Sequence, residues 1–392
     1  MKQQKNLTSV CMLVTNIDAP SGGVQKNSRL LIKKLNERGI KTFVCARNYN
    51  NLPRSEIKDG TLFRRSPVFG NSMAINSIIY LIDGFFWLIR NRKKYDVIHC
   101  QQMYGPTMVA AIVSFIIKKP ILTRITGSGE LGEVRMIRQM TFANLRLRLL
   151  RRVQKWVVLT GEMKREIGTL NISDDKIEVI YNSTEIPSES ASDEETRKIY
   201  RKKINLEYEK IVVFTGRLSQ EKGLDILMNA WKIVSVKYPQ AHLLLLGEGG
   251  SFRNIEIEIR ELVKKFNLME TVHFLGHVHN VKEYLLASDV FVLPSRSEGM
   301  SNALVEAMAA GMTIVATDIP ANREICTNEV NSLLVKTNEP RLLANAIIKT
   351  FDSPEIAVRL ANQAKLFAEE NLSLESMAAQ YINLYQKMLN DN

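Results

Sequence analysis

Short apolar runs alternate with amphipathic stretches along most of the chain. The runs at residues 10–15, 41–46, 96–100, 121–125, 156–159 and 177–180 are close to continuously apolar rather than alternating. That pattern suits parallel strands covered on both faces. Between them lie segments with helical spacing of apolar positions, such as residues 24–38, which Gly39 is placed to end. A strand–helix rhythm of this kind predicts a doubly wound α/β domain. The rhythm breaks at residues 183–197, a serine-rich acidic stretch with linker composition. It restarts with runs at 211–215, 241–247, 271–275, 290–293 and 313–316, and helical patterns follow at 354–370 and 374–389. Two tandem domains are expected: an N-terminal one over residues 1–184, a linker over 185–208, a C-terminal one over 209–372, and a closing helix over 373–392. Open parallel sheets bind ligands at their strand carboxyl ends. The cleft between the two domains is therefore the expected active site.

At 392 residues the chain is long enough for two cores. Hydrophobic residues at 45% and charged residues at 24% exclude a disordered chain. Cys11, Cys45, Cys100 and Cys326 are scattered with no C-x-x-C pair, so reduced thiols are expected rather than a disulfide framework or a zinc site. The amino-terminal apolar run is too short for a secretory leader. The longest apolar stretches, 75–89 and 105–117, fall short of the ~20 residues of a spanning helix, and the first carries Asp83. A cytoplasmic chain is expected, peripheral at the inner face of the membrane. The net charge of +12 is uneven: residues 1–182 carry 30 Lys and Arg against 13 Asp and Glu, the remainder 23 against 28. The basic first half points to an anionic membrane surface or an anionic lipid-linked sugar. No recognition motif accompanies the charge, so nucleic acid is not expected.

The densest chemistry is the string Ser297-Glu298-Gly299-Met300-Ser301-Asn302-Ala303-Leu304-Val305-Glu306-Ala307-Met308-Ala309-Ala310-Gly311. A strand at 290–293 leads into a loop with Glu298, and a helix begins near Ser301. Backbone N–H groups at such a start can hold a phosphate. Glu306 lies eight residues after Glu298, so both carboxylates can face one crevice, where they can accept hydrogen bonds from vicinal hydroxyls. A second string, Gly216-Arg217-Leu218-Ser219-Gln220-Glu221-Lys222-Gly223, follows the strand at 211–215. Arg217 offers a planar fork to phosphate oxygens and Lys222 a point charge. Gly22 and Gly23 follow the first strand, where glycine admits close backbone approach.

Together these strings resemble the signature of retaining glycosyltransferases of family 4, the group 1 glycosyl transferases, with E-G-x-x-N-x-L-x-E-A-M-A-x-G preceded by G-R-x-x-x-x-K-G. The resemblance implies the GT-B fold: two Rossmann-like α/β domains, with the last helix returning to the first. It assigns Glu298 to the donor sugar and Glu306 to the ribose, and Arg217 and Lys222 to the donor diphosphate. Gly22 and Gly23 are implied as a glycine loop reaching toward the donor. Gly216, Gly247 and Gly249 line the donor side, and the backbone at His277 and Val278 reads the base. Gly299, Met300, Ser301, Asn302 and Leu304 complete the donor site. The implied partners are a nucleotide sugar, a UDP-sugar above others, and a glycan or polyprenyl-diphosphate-linked acceptor in surface polysaccharide assembly. No cofactor and no metal are expected: His277 and His279 lack a carboxylate or Cys to complete a ligand set.

The resemblance is loosest in the first half. The family often has His-x-His where this chain has His99-Cys100-Gln101. Gln101 cannot act as a base, and His99 is open to either a catalytic or a packing role. The loop Thr126-Gly127-Ser128-Gly129-Glu130 offers Glu130 as an acceptor-side carboxylate. The basic string 146–152 and the helix around Phe85, Phe86 and Trp87 are candidates for membrane contact. A nucleotide-sugar 2-epimerase shares the architecture and would act without an acceptor. A silent nucleotide-sugar-binding scaffold would bind without turnover.

Overall fold

The structure is a computed structural model and describes residues 6–19, 22–49, 51–70, 72–129, 132–250 and 253–391. It divides into two compact units, one of Met1–Ser183 with Leu374–Asn392, the other of Thr184–Ser373.

Unit 1 is built on strands β1 (Ser9–Leu13), β2 (Lys41–Arg47), β3 (Ser55–Lys58), β4 (Thr61–Ser66), β5 (Val97–Cys100), β6 (Ile121–Arg124), β7 (Lys155–Val158) and β8 (Ile177–Val179). They form one sheet in the order β3-β4-β2-β1-β5-β6-β7-β8, parallel except for the edge pair β3–β4. Its helices are α1 (Gly23–Glu37), α2 (Met73–Arg90), α3 (Gly105–Val113), α4 (Glu133–Gln139), α5 (Ala143–Leu150) and α6 (Gly161–Gly168). Right-handed crossovers run in opposite directions from β1, so α1 lies on one face of the sheet and α2, α3 and α5 on the other. The apolar runs are strands because both faces are covered: every residue of β1, β5 and β6 is buried.

Unit 2 holds β9 (Lys210–Thr215), β10 (Ala241–Leu246), β11 (Val272–Gly276), β12 (Val290–Leu293), β13 (Thr313–Thr317) and β14 (Leu333–Val335). Its sheet is wholly parallel, in the order β11-β10-β9-β12-β13-β14. The helices are α7 (Glu194–Lys203), α8 (Leu224–Lys237), α9 (Glu256–Lys265), α10 (Val281–Ala287), α11 (Asn302–Ala309), α12 (Pro320–Arg323), α13 (Pro340–Asp352) and α14 (Pro354–Asn371). The chain then re-enters unit 1 as α15 (Leu374–Asn390). Leu374, Met377, Tyr381, Leu384 and Tyr385 of α15 join the core that α1 forms with β1 and β2. Lys34 pairs with Glu375 at 2.7 Å beside that contact. The two passages between the units run side by side, with Thr184 N–H donated to the Leu372 carbonyl.

Three features depart from the sequence reading. The stretch 185–208 is not a free linker: Thr184 onward belongs to unit 2, and residues 194–203 form α7. Asp193 accepts the N–H groups of Glu195 and Thr196 and so caps that helix. Arg197 and Arg201 then bind Asp289 at 3.1 and 2.7 Å, docking α7 on unit 2. An acidic first turn and basic last turn suit a helix end to end, yet give the same composition as a linker. The second departure is the hairpin β3–β4, turned by Asp59 and Gly60, both at positive φ. An Asp-Gly pair is the usual hairpin signal; the strands were missed because their exposed edge lacks an apolar run. The third is β14, which is only three residues long.

Candidate functional site

The carboxyl ends of β9, β10, β11 and β12 gather most of the residues that the donor-side motifs supply. Gly216 follows β9 and Gly247 follows β10, with Gly216 N–H donated to the Leu246 carbonyl at 2.9 Å. A Cβ at Gly247 would collide with the Gly216 carbonyl, so this approach of two loops requires glycine. Gly247 N–H reaches the Gly276 carbonyl at 2.8 Å, and Glu248 accepts the His277 N–H at 3.1 Å. His277 is exposed, with Val278 half-buried beside it. Gly249 donates its N–H to Glu256 at 2.9 Å at the foot of α9.

The loop from Arg217 to Lys222 crosses to the loop after β12. Lys222 Nζ meets Glu298 Oε1 at 2.6 Å, and the Ser295 hydroxyl donates to the same oxygen at 2.7 Å. The two motifs, read separately in the sequence, therefore meet in one ion pair whose side chains are 15% and 8% exposed. Gly223 allows the approach: a Cβ there would strike the Pro294 carbonyl. Arg217 is exposed and touches Glu221 at 3.2 Å. Beyond Glu298, Ser301 caps α11 by accepting the Leu304 N–H at 3.3 Å. Met300 and Leu304 are buried, while Gly299, Asn302 and Glu306 are half-buried, Glu306 in the second turn. The cationic Arg217 and Lys222, the Glu298 carboxylate and the start of α11 thus stand at the carboxyl edge of one parallel sheet. Such an edge can neutralise a diphosphate while a carboxylate engages hydroxyls.

Two residues of this site escaped the sequence reading. Arg296 binds Asp225 at 2.6 and 2.8 Å, the Gln220 carbonyl at 2.9 Å and Asn338 at 3.0 Å. Its own N–H is donated to the Glu221 carbonyl at 2.8 Å. One guanidinium thereby bolts the 217–222 loop to the 294–298 loop. Partial burial opposes ionisation of Asp225, but the hydrogen bond and charge of Arg296 outweigh it and hold the carboxyl below its usual range. The signal was present as an Arg two residues before Glu298 and an Asp three after Lys222, but only contact pairs them.

The first-half candidates behave differently. His99 and Gln101 are both wholly buried within unit 1. His99 Nδ1 meets the Tyr385 hydroxyl at 2.6 Å, and its Nε2 faces Gln101 Nε2 at 3.3 Å. Gln101 Oε1 accepts from Arg124 at 3.1 Å, and Arg124 also donates to Asn182. Burial, with the charge of Arg124, lowers the His99 pKa to about 3, so the ring is neutral. Gly22 and Gly23 open α1, and Gly22 has φ 132°. Glu130 lies outside the described residues. Close to it in sequence, Glu133 was missed: it is buried and accepts the N–H groups of Met103 at 2.7 Å and Thr126 at 2.9 Å. Burial raises its pKa, against those hydrogen bonds.

Comparison with known proteins covers both units. The profile described as Glycosyltransferase Family 4 matches residues 21–186, and that described as Glycosyl transferases group 1 matches residues 196–367. A Methanocaldococcus jannaschii protein described as an uncharacterized glycosyltransferase is 26% identical over 300 residues, 75% of each chain. A Haemophilus influenzae protein described in the same words is 26% identical over 162 residues, 41% of this chain and 45% of its own length. The chain thus spans less than half of that relative. HepE of Anabaena, crystallised in complex with UDP, superposes with a TM-score of 0.78 at 18% identity, over 97% of this chain and 100% of that one. Likeness of that degree concerns the fold, whereas the two profiles match the successive halves of this sequence. The chain belongs to the GT-B glycosyltransferases of family 4, the group 1 glycosyl transferases.

Proposed function

We propose that the protein transfers a sugar from a UDP-sugar to an anionic, lipid-linked glycan, with retention of configuration and without a metal ion. The observation that carries the donor assignment is the 2.6 Å contact between Lys222 and Glu298, which joins the cationic and the carboxylate motif at one sheet edge. The UDP complex of HepE supports uridine as the base. In the proposed route the bond from the anomeric carbon to the β-phosphate oxygen breaks on the face where the acceptor hydroxyl attacks. The new bond forms on that face, and the hydroxyl proton passes to the departing phosphate oxygen. This route asks for charge stabilisation rather than a protein base, which agrees with the burial of His99 and Gln101. Lys222 and Arg217 counter the charge on the leaving diphosphate, with the N–H groups at the start of α11. Glu298 holds sugar hydroxyls and Glu306 the ribose. The basic first half supports an anionic acceptor in surface polysaccharide assembly at the inner membrane face.

The test is a thermal shift with UDP, GDP, ADP and NAD, with Arg217→Ala as control. UDP at about 100 times its dissociation constant should add ~2.7 kcal/mol, and the variant should lose it. Incubation with UDP-sugars and lipid-linked acceptors then follows the product and its anomer. Silence with every nucleotide on folded protein would transfer the lead to the scaffold reading. Turnover of the nucleotide sugar without acceptor would give it to the epimerase.

A further inference from the structure

Three arginines are buried at the carboxyl ends of strands β2, β4 and β6 of unit 1, and they are answered differently. Arg65 of β4 is 2% exposed and meets Asp18 at 2.7 and 3.0 Å and Glu56 at 2.8 Å. Arg124 of β6 donates to Gln101 and Asn182. Burial raises the Glu133 pKa and the charge of Arg124 opposes that rise, so a carboxylate stands within its field. Arg47, the last residue of β2, is 7% exposed. Among the described residues it donates to the Tyr49 hydroxyl at 3.2 Å and the Ser77 hydroxyl at 3.0 Å, and it faces the Tyr80 ring at 5.3 Å. None of these is an acid, and Arg47 Nε has no hydrogen-bond partner. Buried charges are normally paired, because the solvation they give up must be replaced. The acids of neighbouring elements are committed elsewhere: Asp83 of α2 to Arg54, Arg64 and Ser66, and Asp18 and Glu56 to Arg65.

The Arg47 guanidinium also faces a second positive feature. A Cβ on Gly105 would lie 3.7 Å from Arg47 Nη2 and 3.7 Å from the Tyr80 ring, so the first residue of α3 stands against it. The nine-residue α3 has no side-chain cap, and its start carries the partial positive charge of a helix amino end. A buried guanidinium and a helix start packed together call for an anion. Arg47 N–H is donated to the Thr15 carbonyl at 3.0 Å, which sets the residue beside the loop after β1. That is the carboxyl edge, where open parallel sheets take ligands. Tyr49 is 45% exposed, so the guanidinium lies one side chain from solvent.

We propose that Arg47, with the Ser77 and Tyr49 hydroxyls and the start of α3, binds a phosphoryl group of the acceptor. A guanidinium fork matches two phosphate oxygens, the hydroxyls donate to the others, and helix N–H groups point at the same anion. Arg65 is no substitute, because Asp18 and Glu56 already fill its fork. The inference rests on the reading of unit 1 as the acceptor side.

Calorimetric titration of the full chain with inorganic phosphate tests it, with excess UDP present to fill the donor site. Phosphate should bind the wild type, and Arg47→Gln should weaken binding by ~10-fold or more, the scale of one lost charge-assisted hydrogen bond. Gly105→Ala adds a methyl at ordinary contact distance and should weaken it severalfold by crowding Nη2. Thermal melts without phosphate separate a binding arginine from a structural one. Arg65→Gln should lower the midpoint by stranding two carboxylates, whereas Arg47→Gln should hold or raise it. Competition then identifies the source of the anion. Displacement of phosphate by a polyprenyl diphosphate in detergent micelles, and not by a hexose 1-phosphate, makes it a lipid headgroup; the reverse makes it a soluble phosphosugar. Displacement by neither overturns the acceptor assignment. No phosphate binding by the wild type, or equal binding by both variants and the wild type, overturns the proposal. So does a lowered midpoint in Arg47→Gln with phosphate affinity unchanged in Gly105→Ala, which would make Arg47 structural. If UDP gives no thermal shift while phosphate binding still depends on Arg47, the donor reading fails and the anion site stands.

Discussion

The strand carboxyl ends of the two sheets occupy the same position in the same kind of fold, and both carry polar side chains that the sequence offered as catalytic. In unit 2 these groups are reachable: Arg217 is exposed, and Lys222 and Glu298 keep part of their surface open while paired. In unit 1 the equivalent groups are sealed. His99 and Gln101 have no exposed surface and are consumed by Tyr385, Arg124 and each other. The difference is α15, whose Tyr381 and Tyr385 close over His99. A polar residue after a parallel strand is a site only when nothing later in the chain covers it.

The largest effect that could break this contrast is at Lys222. Lys222→Ala is expected to lower kcat/KM by ~10²–10³, about 2.7–4 kcal/mol, as loss of a group that stabilises leaving-group charge. Steady-state kinetics at wild-type activity would remove the residue from the chemistry. The opposite behaviour is expected at His99. His99→Leu should cost about 1–3 kcal/mol in chemical denaturation, by stranding the buried Tyr385 hydroxyl, with turnover of the remaining folded protein near wild type. A collapse of turnover at full stability would return His99 to catalysis.

Acid sharpens the same point. The folded state holds His99 at about 3 against 6.5 for the free group. Between these values the unfolded chain takes up a proton that the folded chain refuses. The contribution of His99 is therefore full above pH 6.5 and is lost as the pH falls toward 3, by about 1.4 kcal/mol per pH unit. Urea melts across that window should show this component in the wild type and not in His99→Leu. The smallest expected effect is at the bolt between the donor loops. Asp225→Asn leaves Arg296 only neutral partners. Both side chains are partly exposed, at 43% and 31%, so about 0.5–1 kcal/mol is expected, read as a few-fold rise in donor KM. An unchanged KM would mean that backbone contacts alone hold the two loops.

Much of the architecture was legible. The continuous apolar runs at 10–15, 211–215 and 290–293 became β1, β9 and β12, because strands buried on both faces leave no other pattern. The β3–β4 hairpin escaped because an edge strand need not be apolar; its Asp59-Gly60 turn was the available sign. Residues 194–203 read as linker because a capped, salt-bridged surface helix and a solvated tether share a composition. On the donor side, spacing alone put Glu298 before a helix that Ser301 caps, since the loop between strand and helix is short.

What the sequence by itself determined was local and periodic: which segments are strands and helices, where glycine is needed, and which charged strings stand at helix starts. Those properties depend on neighbours within a few residues. What only the tertiary structure decided was the long-range pairing of those strings and their access to solvent. Lys222 and Glu298 are 76 residues apart and His99 and Tyr385 286 apart. Whether a polar group ends as a poised charge or a sealed hydrogen bond depends on what the fold packs over it, and that is set by contacts no local pattern encodes.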